Sequence, residues 1–196
     1  MKKKEYKEKY AKKTKKNEIK IKKKVDTKWI ITVTLSAFFI SLIFSIIGEN
    51  IVPNAPLYLS IILIFFFIFL GIIFDMIGIS ITVADIKTFN SMATKRVKGA
   101  KLAVKLIKNA EKMSSFCNDV IGDICGILSG STGAAIALGI SEQLNFNTLI
   151  TSLIVTALIA ALTIGGKAIG KSIAMNKSNE ILYNFAKILS IFYRKG

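Results

Sequence analysis

Histidine is absent from the 196 residues. That removes the commonest zinc ligand and the commonest general base at neutral pH. The sequence also shows no nucleophile–base pair and no phosphate-binding glycine loop, so nothing in it points to an enzyme. Cysteine is scarce. Cys117 and Cys125 share one apolar stretch; eight residues apart on a helix they stand about two turns from each other and cannot bond. No disulfide framework is implied, and both read as small buried apolar residues. Acidic residues are few: 12 stand against 28 basic ones, for a formal net charge of +16.

The abundant residues are apolar. Hydrophobic residues make up 52% of the chain, which a soluble domain does not easily combine with so large a charge. The two properties are segregated. Trp29 to Ile47 carries no charge and is long enough to cross ~30 Å of hydrocarbon. Leu57 to Ala84 has Asp75 as its one charge, residues 114–140 contain Asp119 and Asp123, and residues 149–166 are uncharged. The first segment is too long for a signal-peptide core, and Gly48-Glu49-Asn50 and a second span come after it, so it reads as a retained helix.

Every basic residue falls in one of three zones: fourteen between Lys2 and Lys28, eight between Lys87 and Lys112, six between Lys167 and Lys195. The other two connections hold only Glu49 and Glu142 as charges. Four spans place the basic zones on one side, and the positive-inside rule makes that side cytoplasmic, with both termini there. The expected fold is an all-α membrane protein with four transmembrane helices at about 29–47, 57–84, 114–140 and 149–166, plus amphipathic interfacial helices at about 86–112 and 173–193.

Residues 1–28 form a Lys-rich arm too poor in apolar side chains to fold alone. Lysine clusters also bind nucleic acid. This arm joins a membrane span directly, so anionic lipid headgroups are the expected partner, at roughly 1 kcal/mol per basic residue near the surface, and nucleic acid is not. Lys98, Lys101, Lys105, Lys108 and Lys112 recur at three- and four-residue steps among Leu102, Val104, Leu106 and Ile107, the pattern of a basic interfacial helix. Gly99 divides it from a shorter helix before it. Ile181, Leu182, Phe185, Ile188, Leu189 and Phe192 give a second such helix.

Charges inside spans are costly and turn to the protein interior. Asp119 and Asp123, four apart, project from one helical face near Ser115 and Asn118. Asp75, Ser80 and Thr82 on the second span, with Thr163 and Lys167 on the fourth, sit at a similar depth. Two readings stand open. Carboxylate, hydroxyl and amide oxygens suit a hard cation such as Mg²⁺, with Ser115, Asn118, Asp119, Asp123 and Asp75 as donors. Alternatively, Lys167 pairs with Asp123 or Asp119 and locks the bundle. Gly122, Gly126 and Gly130 form a small-residue face for helix packing, and Gly165, Gly166 and Gly170 are expected where the fourth span ends or bends.

From Ile79 to Phe192 the order of features resembles the transmembrane domain of the CorB/CorC and cyclin-M (CNNM) magnesium and cobalt transport family. Gly99-Ala100-Lys101-Leu102-Ala103-Val104-Lys105-Leu106-Ile107 is similar to a family helix before a span. Ser114-Ser115 and Ile121-Gly122-Asp123 are similar to its Ser turn and Ile-Gly-Asn, with Asp123 in place of Asn. Gly166-Lys167-Ala168-Ile169-Gly170-Lys171-Ser172-Ile173-Ala174, with Asn176 after it, resembles Gly-Glu-x-x-Pro-Lys-Ser-Leu-Ala. The resemblance implies three spans, a cytoplasmic belt of short helices, a homodimer and divalent-cation transport. The first span would be an addition that moves the amino terminus inside. Lys167 stands where the family has a Glu of the cation pocket, and Gly170 where it has Pro. An ammonium there repels Mg²⁺ by roughly several kcal/mol at low effective dielectric, and Asp123 restores one negative charge. The family's nucleotide-binding CBS pair is not found in this sequence, so regulation of that kind is expected from another chain. The alternative to transport is a non-transporting scaffold or regulatory subunit in which Lys167 takes the place of the cation.

Overall fold

The computed structural model describes residues 27–51 and 56–193, and the basic arm expected over 1–28 lies almost wholly outside them. The described residues are helical apart from short connections, with no strand among them. Contacts divide the chain into Met1–Thr34 and Leu35–Gly196. Helix α1 is Thr27–Ile51, α2 is Leu57–Val83, α3 is Ile86–Thr94 and α4 is Ala100–Lys108. The third apolar segment is built of α5 (Ala110–Ser115), a π-helical segment (Phe116–Gly122) and α6 (Asp123–Leu144). Then come α7 (Thr148–Asn176) and α8 (Ser178–Tyr193). Four helical stretches are long and apolar enough to cross a membrane: Thr27–Ile46, Leu57–Val83, Ala110–Leu144 and Thr148–Asn176. The chain is a multi-pass membrane protein.

Helices α2, α6 and α7 pack on one another. The third span is the most enclosed; α7 turns Leu153, Ile154, Leu158 and Leu162 outward, as a lipid-facing helix does. Phe44 of α1 meets Phe67 of α2 edge to face, with ring centroids 6.1 Å apart. The turn between α6 and α7 is short. Asn145 takes a left-handed conformation (φ 53°), and the Asn147 side chain caps α7 by accepting from the Leu149 and Ile150 amides.

The larger packed core is not at the middle of the bundle. It lies where α3, α4 and α8 close over one end of α2 and joins Ile77, Ile81, Phe89, Ala103, Leu106, Cys117, Leu182 and Ala186. A smaller cluster of Ile64, Ile68, Ile136 and Ile159 fills the rest of the bundle. The two amphipathic segments therefore form a belt whose apolar faces enter a protein core.

Three boundaries differ from expectation. The first basic interfacial segment ends at Lys108, and the third span's helix begins at Ala110, ahead of residue 114. The fourth span's helix does not end at its glycines: α7 runs unbroken through Gly165, Gly166 and Gly170 to Asn176. Gly166 and Gly170 instead admit Ile72 and Met76 of α2, with Ile72 Cγ2 at 3.0 Å from the place of a Cβ on Gly170. Within this chain the expected small-residue face is only partly used. A Cβ on Gly126 or Gly130 would meet nothing within 4 Å, whereas Gly122 and Gly133 are covered.

Gly99 does separate two belt helices, and for two physical reasons. Its φ is +83°, and a Cβ there would lie 2.9 Å from the backbone N and Cα of Lys187 on α8. Backbone cannot give way as a flexible side chain can. Gly99→Ala is expected to destabilise the protein by about 1–3 kcal/mol, read as a lower thermal midpoint in detergent. An unchanged midpoint would mean that α4 and α8 do not meet at this point.

Asp85 starts the belt. Its carboxylate accepts hydrogen bonds from the Lys87 amide (2.9 Å) and the Thr88 hydroxyl (2.9 Å), while its own N–H donates to Asn179 Oδ1 of α8 (3.0 Å). The Lys87 amide bond, and after it the Thr88 hydroxyl, holds the carboxyl below its usual range. A lowered pKa stabilises the fold above the unfolded value and ceases to do so as pH falls through the folded one. Asp85→Asn should therefore flatten the acid limb of a stability–pH curve below about pH 4, and Asp85→Ala should lower the midpoint at neutral pH through loss of the cap.

Candidate functional site

The intramembrane polar residues gather at the belt end of the bundle. Asp75 lies on α2, half-buried, two turns before the helix ends. Asp119 is in the π-helical segment and Asp123 opens α6; both are exposed on the isolated chain. Lys167 and Lys171 project from α7. All four of these charged groups are near enough to Asp75 to act on its charge. With Asp75 they come from three elements, α2, the third span and α7. Lys171 is among them, a residue that nothing but its place in the family-like motif had marked.

The π-helical segment is the structural device here. A π turn inserts an extra residue into the helix, so it shifts the phase of every residue after it. Asp119 and Asp123 nonetheless both remain on the accessible side. Ser115 Oγ donates a short hydrogen bond to Asp119 Oδ2. Asn118 Nδ2 reaches Ser114 Oγ at 3.5 Å, the long limit of such a bond. Its Oδ1 is buried with no hydrogen-bond partner, as is Ser80 Oγ.

Asn118 finds room only because residue 78 is glycine. The Asn118 amide oxygen stands where a Cβ on Gly78 would be, so the α2 backbone and this side chain are in direct contact. Seven residues earlier on α2, Gly71 packs on Cys125 in the same way, its Cβ position 3.2 Å from that of the cysteine. Thr82 and Thr163 do not join the cluster through their hydroxyls, which donate to the Ile79 and Ile159 carbonyls of their own helices.

Lys167 is where the sequence expectation needs correction. Its ammonium lies over Gly122, 3.6 Å from the place of a Cβ there. No ion pair within 4.0 Å joins it to Asp75, Asp119 or Asp123. The predicted Lys167–Asp123 lock is therefore not a direct contact. Lys167 rises from α7 toward a glycine, one residue short of Asp123, and Asp119 is already engaged by Ser115. The expected oxygen set also does not close into a chelate: among the described residues no three His, Cys, Asp or Glu side chains are close enough to hold a metal ion.

Residues 61–194, well over half of the chain, match the family model described as the cyclin M (CNNM) transmembrane N-terminal domain. The chain belongs to this family. The match begins inside α2, so α1 precedes it and the CNNM domain proper comprises α2 to α8. No curated protein and no solved structure matches the chain.

Sequence reasoning missed the Gly78–Asn118 contact, the orphaned Ser80 hydroxyl and the π turn. A polar amide at the head of an apolar run, with a glycine on the preceding span, was the one available signal. The contact predicts a specific epistasis. Gly78→Ala should destabilise by about 1–3 kcal/mol through overpacking. Asn118→Ala, by removing the amide, should restore much of that loss in the double variant. Thermal unfolding of the four proteins in one detergent measures it, and simple additivity would show that the two residues do not touch.

Proposed function

We propose that this CNNM-family membrane protein handles a divalent cation of the Mg²⁺ type at the belt end of its bundle. Family membership supports a membrane role related to divalent-cation transport. The observation that carries the finer reading is the convergence of Asp75, Asp119 and Asp123, from two spans, beside a π turn whose Asn118 oxygen is buried and unpartnered. These are hard oxygen donors. Mg²⁺ dehydrates reluctantly and is commonly held by one or two carboxylates with several waters retained. Dispersed carboxylates fit a hydrated cation passing through better than a tight chelate would.

Lys167 and Lys171 set the terms. They lie among the carboxylates and offset part of their charge, which weakens attraction for a cation at rest. The geometry also suits a second reading, in which Lys167, poised over Gly122, stands in for the cation and the protein serves as a scaffold or regulatory subunit. In either case the three basic zones argue that both termini face the cytoplasm, and the family likeness argues for a homodimer.

Thermal stability against a divalent-cation series separates the readings. Mg²⁺ at ten times its dissociation constant should stabilise the folded protein by about 1.4 kcal/mol. Asp123→Asn should abolish that shift, and Lys167→Met should leave it intact or enlarge it. A shift that survives Asp123→Asn sinks the proposed site. No shift in the parent, with one appearing in Lys167→Met, would establish Lys167 as the resident cation.

A further inference from the structure

The belt contains two adjoining cavities that the cation reading does not use. The larger, about 560 Å³, lies between α4 and α8 and is lined by Lys98, Lys101, Leu102, Lys105, Ser190 and Ile191 around Gly99. The smaller, about 290 Å³, shares Lys98, Gly99 and Lys101 with it and adds Arg96 and Val97. We infer that this cleft seats one anionic phospholipid, its phosphate between Lys98 and Lys101 at the head of α4 and an acyl chain along Leu102 and Ile191.

Charge complementarity and shape carry the assignment. Among the described residues no acidic one lines either cavity, and Arg96, Lys98 and Lys101 gather at the head of α4. The amino end of α4 has no side-chain cap; the Ala100 amide is taken by the Val97 carbonyl, and the positive end of the helix adds to the field at the same place. The floor is apolar: Ile191 is 69% exposed and Leu102 is half-buried. A free phosphate would satisfy the lysines and leave this floor in water. A neutral lipid would cover the floor and leave Lys98 and Lys101 without an anion. A phospholipid with net negative charge does both, and helices α4 and α8 lie beside the end of the bundle, where a bilayer presents headgroups and chain together. The larger volume is within the range of sites for small ligands. The cleft shares no residue with the cation site, so either can stand without the other.

Native mass spectrometry of the full chain tests it, released from detergent with phosphatidylglycerol, phosphatidylcholine or inorganic phosphate added. The parent protein should retain one phosphatidylglycerol per chain and hold it more tightly than phosphatidylcholine. Lys98→Gln with Lys101→Gln should weaken that binding about thirty-fold, taking each basic residue at its usual interfacial contribution. Ile191→Glu, on an exposed position that folding does not require, should weaken it comparably, and Lys177→Gln, away from the cleft, should not. The proposal is overturned if both cleft variants bind phosphatidylglycerol like the parent, if phosphatidylcholine binds equally well, or if inorganic phosphate alone displaces the lipid.

Discussion

Inside a bilayer an apolar side chain gains nothing by leaving lipid for another helix, so helices hold together only where their surfaces approach closely enough for dense packing. In this protein α2 is the helix around which that approach is organised. Gly71 and Gly78 open its surface to the third span, while Ile72 and Met76 fill the surface opened by Gly166 and Gly170 on α7. The two glycines flank the two side chains along α2, so one helix both receives and supplies the knobs. The charged cluster is a consequence of this geometry. Asp75 sits between Ile72 and Gly78, and whatever the neighbouring helices carry at that height is brought to it.

The belt fixes the same end of the bundle from outside. Phe89, Leu182 and Ala186 are fully buried against Ile81, and Asp85 ties the end of α2 to the start of α8 through Asn179. Burial of apolar surface stabilises most where the alternative is water and not lipid chains. The most firmly packed part of the molecule thus lies directly beside the π turn, where the helix geometry is least regular. Cys117, within that turn, is itself a member of the belt core. A local irregularity of this kind persists when its surroundings over-determine it.

Element type is legible in the sequence because length and charge segregation are strong signals. The four spans, the break at Gly99 and the family likeness over residues 79–192 all rest on patterns long enough to average out local noise. Expectation and structure part where a residue has two physical uses. Gly165, Gly166 and Gly170 carry the composition of a helix end, yet α7 runs through them, and Gly166 and Gly170 serve approach to α2; tertiary packing decides between these, and no local pattern records it. Gly126 and Gly130 have packing spacing with no neighbour within this chain. Periodicity marks an apolar face without naming what covers it, so the amphipathic segments look lipid-facing in the sequence and enter a protein core in the fold. The π turn is invisible, since Phe116–Gly122 has nothing in composition to separate it from an α-helix. Of the site, the sequence supplies the residues and their shared depth. The absence of a direct Lys167–Asp123 pair requires coordinates.

That absence changes how the charges should be understood. A direct pair would neutralise both partners and leave Asp75 to be accommodated alone. As arranged, three carboxylates share the influence of two ammonium groups without any of the three being consumed by Lys167. Relative to the family pattern, Lys for Glu at 167 makes the region more positive, and Asp for Asn at 123 offsets half of that change. The remaining difference leaves the region more positive, while one Asp119 oxygen accepts from Ser115 and Lys167 pairs directly with none of the three carboxylates. A cluster so arranged keeps Asp75 and Asp123 outside any ion pair with Lys167, whereas a structural lock would tie one of them to α7.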